Sequence, residues 1–211
     1  MGNLESLSKD LLEKIEDGYT QKFHFLESAK NEPEIAKIIS GFANTTGGVL
    51  LIGIKTNGKV IGVNPSHVLK EIDLISEKLM IGRISIKLEK TLFGRHFLIL
   101  IQITSLNSKV AVRVNGSTTY FLRVDSLTVS ANKIILKAWS LLKQKKIIKL
   151  IDVHDEILHL CDNKDFISLS FIYQTVNYRN KLLDLALSEL IALNKMRVIP
   201  VQNEIRYSSL C

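Results

Sequence analysis

The sequence predicts an α+β fold, in which a mixed sheet packs on helices and a small helical domain follows. Three observations lead to this class. One amphipathic helix pattern runs directly into a glycine turn and a short, fully apolar strand pattern. Two further pairs of strand patterns come after it, each pair with a turn sequence between its members. Residues 151–211 then change to three helical patterns and a final strand pair, which indicates a second domain.

The amphipathic helix is predicted to begin at Asn31. An asparagine side chain accepts hydrogen bonds from the open N–H groups of a first helical turn, and Pro33 and Glu34 favour that turn. The apolar positions that follow have the spacing of one helical stripe: Ile35, Ile38, Ile39 and Phe42. The pattern therefore predicts a helix that buries one face.

A strand and a hairpin are predicted directly after this helix. Residues 44–48 (NTTGG) tolerate the positive φ angles that end a helix and reverse the chain. Residues 49–54 form an unbroken apolar run with β-branched members, which predicts a strand buried on both faces. Asn57 and Gly58 give a strong two-residue turn signal, and 59–63 is predicted to be the returning strand.

The remaining elements are predicted from the same two periodicities. Apolar residues at helical spacing predict helices at 4–15, at 66–80 with Ser66 as its cap, and at 129–150. Alternation predicts a short strand at 23–28 and two hairpins, which pair 84–88 with 97–103 and 111–114 with 119–124. In the last segment, helices are predicted at 153–160, 167–176 and 181–195, followed by a hairpin of 198–201 with 205–207.

Several short motifs occur in order around the central helix and strand. They are Phe42-Ala43-Asn44-Thr45, Gly47-Gly48, Gly53-Ile54, Gly62-Val63 and, further on, the strand Tyr120-Phe121-Leu122-Arg123-Val124. Over roughly residues 20 to 140 the sequence resembles the Schlafen/Alba-type (AlbA_2) family, also catalogued as divergent AAA-like and associated with DNA binding. The resemblance implies a mixed-sheet α/β sandwich, and it suggests a homodimer because Schlafen cores pair two such lobes.

Catalysis is not expected from the residues at the family's catalytic positions. Some relatives are RNA endonucleases with metal-binding carboxylates, but the corresponding positions here read His24-Phe25-Leu26 and Lys55-Thr56. A lysine at a ligand position would repel a metal ion, and no GxxxxGK[ST] motif holds nucleotide phosphates. We therefore predict no catalytic, metal or cofactor residues. A degenerate nuclease that uses Glu16, Asp17 or Glu27 stays open as the alternative.

Composition places the chain among globular proteins of a reducing compartment. It is 46% hydrophobic over 211 residues, enough for a sizeable core, and no apolar run reaches the length of a membrane span. The charged first residues indicate neither a signal peptide nor an anchor. Cys161 and Cys211 lack the spacing of a metal site, so a cytoplasmic protein without structural zinc is expected.

The net charge of +7 is compatible with a phosphate backbone, another anionic partner or solubility alone, and by itself selects none of them. Residues 1–150 hold 22 Lys and Arg against 13 Asp and Glu, a net charge of +9, whereas 151–211 hold 6 against 8, a net charge of −2. Lys55 and Lys59 flank the predicted turn at Asn57 and Gly58, and Arg113 and Arg123 lie on the paired strands of the predicted hairpin of 111–114 with 119–124. If they face the same way, they form a basic sheet edge that follows a phosphate backbone; otherwise they are unrelated surface charges.

The predicted helix at 129–150 has no acid after residue 132, and its basic residues include Lys143, Lys145 and Lys146. These lysines form either a phosphate-contacting arm or a solvated face. The three helices and hairpin that follow have the order of a winged helix-turn-helix. In that geometry Arg179 and Lys181 lie at the start of the DNA-reading helix and Arg206 on the wing. Acids on the same helix oppose DNA binding, so a dimer or partner contact stays the alternative.

The sequence thus predicts three parts: a Schlafen/Alba-like domain at 1–135, a basic connector helix at 136–150 and a winged-helix domain at 151–211. The predicted function is non-catalytic nucleic-acid binding, with DNA favoured over RNA and transcriptional regulation as one use. The predicted contacts are the ten basic residues named above, the predicted assembly is a homodimer, and no membrane association is expected. A protein-interaction module without nucleic acid is the remaining alternative.

Overall fold

The computed structural model describes residues 2–145, 147–162, 164–202 and 204–210, with side chains from residue 9 onward. The chain forms two compact units, residues 1–130 and 131–211. The first unit is mixed α and β. Its elements are α1 (Gly2–Asp17), β1 (Phe23–Leu26), α2 (Glu32–Asn44), β2 (Gly48–Ile52), α3 (Pro65–Lys78), β3 (Met80–Ile81), β4 (Ile86–Phe93), β5 (His96–Ile103), β6 (Ala111–Val114), β7 (Ser117–Val124) and β8 (Leu127–Ser130).

Two four-stranded sheets form the first unit. The first has the order β1-β2-β5-β4 and is mixed, because β1 runs parallel to β2 while the other neighbours are antiparallel. The second has the order β3-β6-β7-β8 and is antiparallel throughout. The predicted α+β class and mixed sheet are confirmed. β3 and β8 were not predicted from the sequence.

Helix α2 packs against both sheets and is the centre of the core. It begins as predicted, with the Asn31 side chain accepting the Glu34 N–H at 3.3 Å. The prediction that it buries one face is wrong, because from Ile35 to Asn44 every residue except Lys37 is buried. Small residues allow the burial of more than one face of α2. A Cβ atom on Gly41 would lie 3.0 Å from the Thr128 side chain of the second sheet.

The central strand is buried on both faces, as predicted. Leu50 and Ile52 belong to the core around α2, and Leu51 belongs to a second core beneath α1. The turn at Asn57 and Gly58 is present, but the predicted returning strand at 59–63 is reduced to a single bridge between Ile54 and Val60. Glycines with positive φ bend the chain on either side of it, at Gly53 and Gly62.

The cap of helix α3 lies two residues earlier than predicted. Asn64, not Ser66, accepts the first free N–H, from His67 at 3.3 Å, and Pro65 occupies the first helical position. The apolar stripe of α3 was predicted correctly, since Val68, Ile72 and Ile75 are buried in the core around α2. This core therefore joins both sheets through two helices.

The described residues of the second unit form four helices and one hairpin: α4 (Lys133–Gln144), α5 (Asp152–Cys161), α6 (Leu169–Thr175), α7 (Asn180–Ala192), β9 (Met196–Val201) and β10 (Glu204–Ser209). A bridge between Ile167 and Tyr207 adds a third short extended segment to the hairpin. Tyr207 is fully buried among the apolar side chains of this unit.

Helix α4 is shorter than predicted and belongs to the second unit. It starts after the cap Asn132 and stops at Gln144, where Lys145 takes a positive φ angle of 50°. Ile134 packs into the same core as α5, α6 and α7. The boundary therefore falls after Ser130 and differs from the predicted boundaries at 135 and 150. None of the described helices is long and apolar enough to cross a membrane.

Candidate nucleic-acid interface

The Phe42-Ala43-Asn44-Thr45 motif at the end of α2 has a structural role centred on Asn44. Its buried amide donates to the backbone oxygens of Val110 and Phe121, each at 2.8 Å. Its side-chain oxygen accepts the Val110 N–H at 2.6 Å. Ser40, one turn earlier, also donates to Val110 O at 2.8 Å. This network fastens the last turn of α2 to the second sheet.

The two glycines that follow allow close backbone contact. Gly47 has a φ angle of 74°, and a Cβ atom there would lie 2.7 Å from the Ile103 oxygen. A Cβ atom on Gly48 would lie 2.4 Å from the Phe42 ring. Both positions therefore require glycine for packing alone.

Arg123 does not lie on a basic surface, which corrects its assignment to the nucleic-acid contacts. Arg123 is 2% exposed. Its guanidinium donates to backbone oxygens just before β1 and at the first residue of β1. Nε and Nη2 reach Thr20 O at 3.1 and 2.8 Å, and Nη2 also reaches Phe23 O at 3.3 Å. Nη1 donates to Thr128 Oγ1 at 3.1 Å. Burial lowers the pKa of Arg123 to about 10.

Arg113 is exposed, but it cannot share a surface with Arg123. Arg113 pairs with Thr118 of β7, so the two side chains lie on the same face of the sheet. Arg123 comes five residues after Thr118 on that strand, and five is an odd number of steps. Side chains alternate between the two faces of a strand, so the two arginines point to opposite faces of the sheet. Lys55 and Lys59 flank the predicted turn, and the Lys55 N–H donates to Lys59 O at 3.0 Å. The predicted basic sheet edge is therefore not formed as a group of four.

His24 occupies the position where nuclease relatives are expected to hold a carboxylate. Its ring stacks on Tyr19 with 4.2 Å between centroids, and its Nδ1 lies 3.3 Å from Nη2 of Arg123. Burial, together with the positive charge of Arg123, lowers the pKa of His24 from 6.5 to about 4. Among the described residues, no group of three His, Cys, Asp or Glu side chains could hold a metal ion.

Acid is expected to destabilise the protein through His24. The folded imidazole stays neutral down to a pKa of about 4, whereas the unfolded one binds a proton near 6.5. The unfolded chain therefore binds more protons in this window, and the free energy of unfolding falls as the pH drops from 6.5 to 4, by on the order of 2 kcal/mol. Urea unfolding at a series of pH values measures this slope. His24→Gln should flatten it, and the exposed control His67→Gln should not.

Lysines of the second unit cluster on α4. Its buried side is formed by Ile134, Ile135, Ala138 and Leu141. Lys133, Lys137 and Lys143 are exposed on the other side, and exposed Lys145 follows at the helix end. We call these four residues the α4 lysine tract. The predicted contact Lys146 lies outside the described residues.

A cleft between α4 and α7 brings three lysines together. It has a volume of about 270 Å³ and is lined by Lys133, Lys137, Lys181, Asp184, Leu185 and Ser188. Lys133 Nζ lies 2.6 Å from Asp184 Oδ2 and 5.5 Å from the centre of the Tyr173 ring. The hydrogen bond to Asp184 raises the pKa of Lys133. No ion pair of Lys137 or Lys181 is found among the described residues.

Helix α4 covers the outward side of α7, where this cleft lies. The core side of this helix carries Leu183, Ala186, Leu187 and Leu190, and the cleft residues lie opposite them. Ser188 on that opposite side is 0% exposed. Along 182–192, which the structure describes completely, every side chain is buried or half-buried. Arg179 and Lys181 are exposed at the helix start, while half-buried Arg206 pairs with Glu204 at 2.9 Å.

Regrouping the charges by structural unit changes their interpretation. Residues 1–130 hold 16 Lys and Arg against 13 Asp and Glu, and residues 131–211 hold 12 against 8. Of the net charge of +9 assigned to the first domain, +6 thus comes from residues 131–150, which have six lysines and no acid, and +3 comes from residues 1–130. The contacts predicted from the sequence did not include Lys133 and Lys137. The acid-free run was their signal, but the position of α7 beside it was not visible in the sequence.

Two solved structures resemble the chain. A crystal structure of a Corynebacterium diphtheriae protein matches with 15% identity and a TM-score of 0.44, covering 66% of this chain and 28% of that one. The solution structure of the N-terminal domain of a RecG-related protein from Nitrosomonas europaea matches with 16% identity and a TM-score of 0.42, covering 60% and 92%. The chain thus spans less than a third of the C. diphtheriae protein.

No curated protein matches the chain in sequence. The family profile described as Schlafen, AlbA_2 matches residues 16–132, more than half of the 211 residues and nearly all of the first unit. The motifs that carried the resemblance, including Asn44, Gly47 and Arg123, all fall within this range. The chain belongs to the Schlafen AlbA_2 family.

Proposed function

We propose that this protein binds nucleic acid by its phosphate backbone, without catalysis. The main observation in support of this proposal is the position of the α4 lysine tract beside Lys181. Lysines that project from one side of a helix, with no acid in residues 133–150, produce the local positive field that attracts a polyanion. Family membership supports the same class of partner.

The geometry supports backbone contact more than base reading. The order of α5, the Ile167 bridge, α6, α7 and the hairpin is that of a winged helix-turn-helix, which supports DNA over RNA as the partner. In that fold the third helix enters the major groove with its outward side. Here α4 covers that side of α7, so the exposed lysines meet phosphates while the bases are not read. Sequence-independent binding follows, and a role in transcription would then depend on a partner.

The absence of catalysis is part of the proposal and rests on His24 and Lys55. The positive charges of Arg123, whose Nη2 lies 3.3 Å from His24 Nδ1, and of Lys55 would repel a divalent cation, and neither His24 nor Lys55 supplies the carboxylate oxygens that Mg²⁺ prefers. If the protein degraded labelled RNA, and EDTA stopped the reaction, the degenerate-nuclease alternative would replace this part of the proposal.

The assembly that we propose is a homodimer in the cytoplasm. Light scattering at several protein concentrations measures the mass of the assembly and so tests the dimer.

Fluorescence anisotropy with a labelled duplex tests the function. The logarithm of the binding constant is expected to fall linearly with the logarithm of salt concentration, with a slope of about −0.9 per phosphate contacted. Replacing Lys137, Lys143 and Lys181 together by glutamine should make this slope shallower by about 2 to 3 units and weaken binding at low salt by at least tenfold.

A matched control removes the same charge elsewhere. Lys9, Lys30 and Lys70 are exposed lysines of the first unit, and their replacement by glutamine also lowers the net charge by three. This control should change the slope by less than about 1 unit. Equal loss in both triple variants would show a response to net charge alone. Absence of binding at low salt would exclude the proposed function.

A further inference from the structure

The turn between β4 and β5 carries an exposed aromatic ring with basic neighbours. We name Lys90, Leu92, Arg95 and Phe97 the hairpin tip. We propose that the hairpin tip is a stacking site for an unpaired base of a single-stranded nucleic acid. This inference rests on the proposed function and adds a second contact, in the first unit.

The strand register places two apolar side chains next to each other on one face. Leu92 is paired with Phe97 across the β4 and β5 strands, so both side chains leave the sheet on the same side. They are 48% and 40% exposed. On that same side of β5, Ile99 and Ile101 are fully buried. The core therefore ends between Ile99 and Phe97, and the last pair forms an open apolar surface.

The backbone beneath this surface is held firmly. Val63, just before α3, donates its N–H to Phe97 O at 2.8 Å. The strand pairing continues to Phe93 and His96 at the turn, where Gly94 takes a φ angle of 58°. A ring on a fixed strand loses little conformational freedom when a planar partner stacks on it.

The charges of the hairpin favour an anionic partner. Lys90 Nζ lies 4.8 Å from the centre of the Phe97 ring, and Arg95 is exposed at the turn. Glu89 is the acid of this hairpin, and strand alternation puts it on the opposite face from Phe97. The face that carries the ring is thus apolar with a positive rim.

A stacked nucleotide uses both properties at once. The base would cover the Phe97 ring, and Lys90 would turn from the ring to the adjoining phosphate. Base stacking on an aromatic side chain is a stronger contact than a cation over an exposed ring, so this exchange is favourable. Bases in a duplex are already stacked on each other and cannot do this, which makes the site selective for single strands.

A protein strand would occupy a different place. β4 is the edge of its sheet, and an added strand would lie in the plane of that sheet. It would pair with the backbone of β4 and leave the face of Phe97 uncovered, because Phe97 belongs to the next strand inward. The exposed ring and its basic neighbours are therefore better matched by a base and its phosphate.

The test compares single-stranded oligothymidine with a duplex of the same length, both labelled. Phe97→Ala in the full chain should weaken single-strand binding about tenfold and leave duplex binding within twofold. Phe97→Tyr keeps an aromatic ring at this position, and it should bind the single strand as tightly as the wild-type chain does. Leu127→Ala is the control, since it removes a different apolar side chain of the first unit that is 51% exposed. It should change neither single-strand binding nor duplex binding.

Ultraviolet crosslinking gives an independent measurement that does not depend on a variant. Oligonucleotide with 5-bromouracil should crosslink to the peptide that contains Phe97, as read by mass spectrometry. Equal weakening of both ligands by Phe97→Ala, no weakening of either, or crosslinks that all lie elsewhere would overturn the inference while leaving the proposed function standing. A wild-type chain that binds no nucleic acid at low salt would overturn both.

Discussion

Replacing Arg123 by methionine is expected to lower the free energy of unfolding by about 4 kcal/mol, because hydrogen bonds to a buried charged group are each worth about 1.5–3 kcal/mol. The guanidinium donates to Thr20 O in the loop before β1, to Phe23 O at the start of β1 and to Thr128 on β8. Methionine fills a similar volume but leaves these acceptors without a donor. Urea unfolding followed by circular dichroism measures the loss.

Two further variants decide between this structural role and the predicted nucleic-acid contact. Arg123→Lys keeps the charge but not the planar fork of donors, and it should recover less than half of the lost stability. Arg113→Met removes an exposed arginine of the same sheet, and it should change the free energy of unfolding by about 0.5 kcal/mol or less. If Arg123→Met kept its stability and lost affinity for DNA, the original assignment of Arg123 would be correct.

Replacing Asn44 by alanine is expected to lower the free energy of unfolding by about 3 kcal/mol, since each buried polar group left without a partner costs about 1–3 kcal/mol. The deleted amide serves the backbone of Val110 on both its N–H and its oxygen, and the oxygen of Phe121. Denaturant unfolding measures the change. Asn44→Asp should be at least as harmful, because a carboxylate would then face two carbonyl oxygens at 2.8 Å.

Thr46, which lies between the Phe42–Thr45 motif and the glycine pair, supplies a control. Thr46 is exposed, and Thr46→Ala should change the free energy of unfolding by about 0.5 kcal/mol or less. A similar loss in both variants would mean that the turn as a whole, and not the Asn44 network, determines the stability of this region.

The sequence was most informative where a local rule decides the structure. Asn31 caps α2 because its side chain reaches the Glu34 N–H, a contact within one turn of chain. The apolar run around Leu50 and Leu51 forms a strand buried on both faces because no other short element hides two faces. Such features need no knowledge of distant residues, and they were predicted correctly.

The sequence was least informative where distant residues decide the environment. Nothing near Arg123 in the sequence reveals that Thr20 and Phe23 will supply its acceptors. An arginine in a strand is exposed in most proteins, so the local pattern favoured the surface. The small residues of α2 gave a signal that was missed. Gly41, placed away from the apolar stripe, allows the second sheet to approach.

The candidate site shows the same division. The acid-free run of lysines after residue 132 was visible in the sequence, and it contains all four residues of the α4 lysine tract. Lys181 joins Lys137 because α4 and α7 pack together, which no spacing rule predicts. The same packing covers the outward side of α7, so the expected DNA-reading helix is reduced to its first turn.

The burial of α2 on all sides has a consequence for synthesis of the chain. The ribosome completes α2 at residue 44, but β7, one of its covering strands, ends only at Val124. During that interval the nascent polypeptide carries an apolar helix with part of its surface open to water. Fragments that stop before β7 should therefore aggregate or recruit chaperones, and this unit should fold only after its last strands leave the exit tunnel.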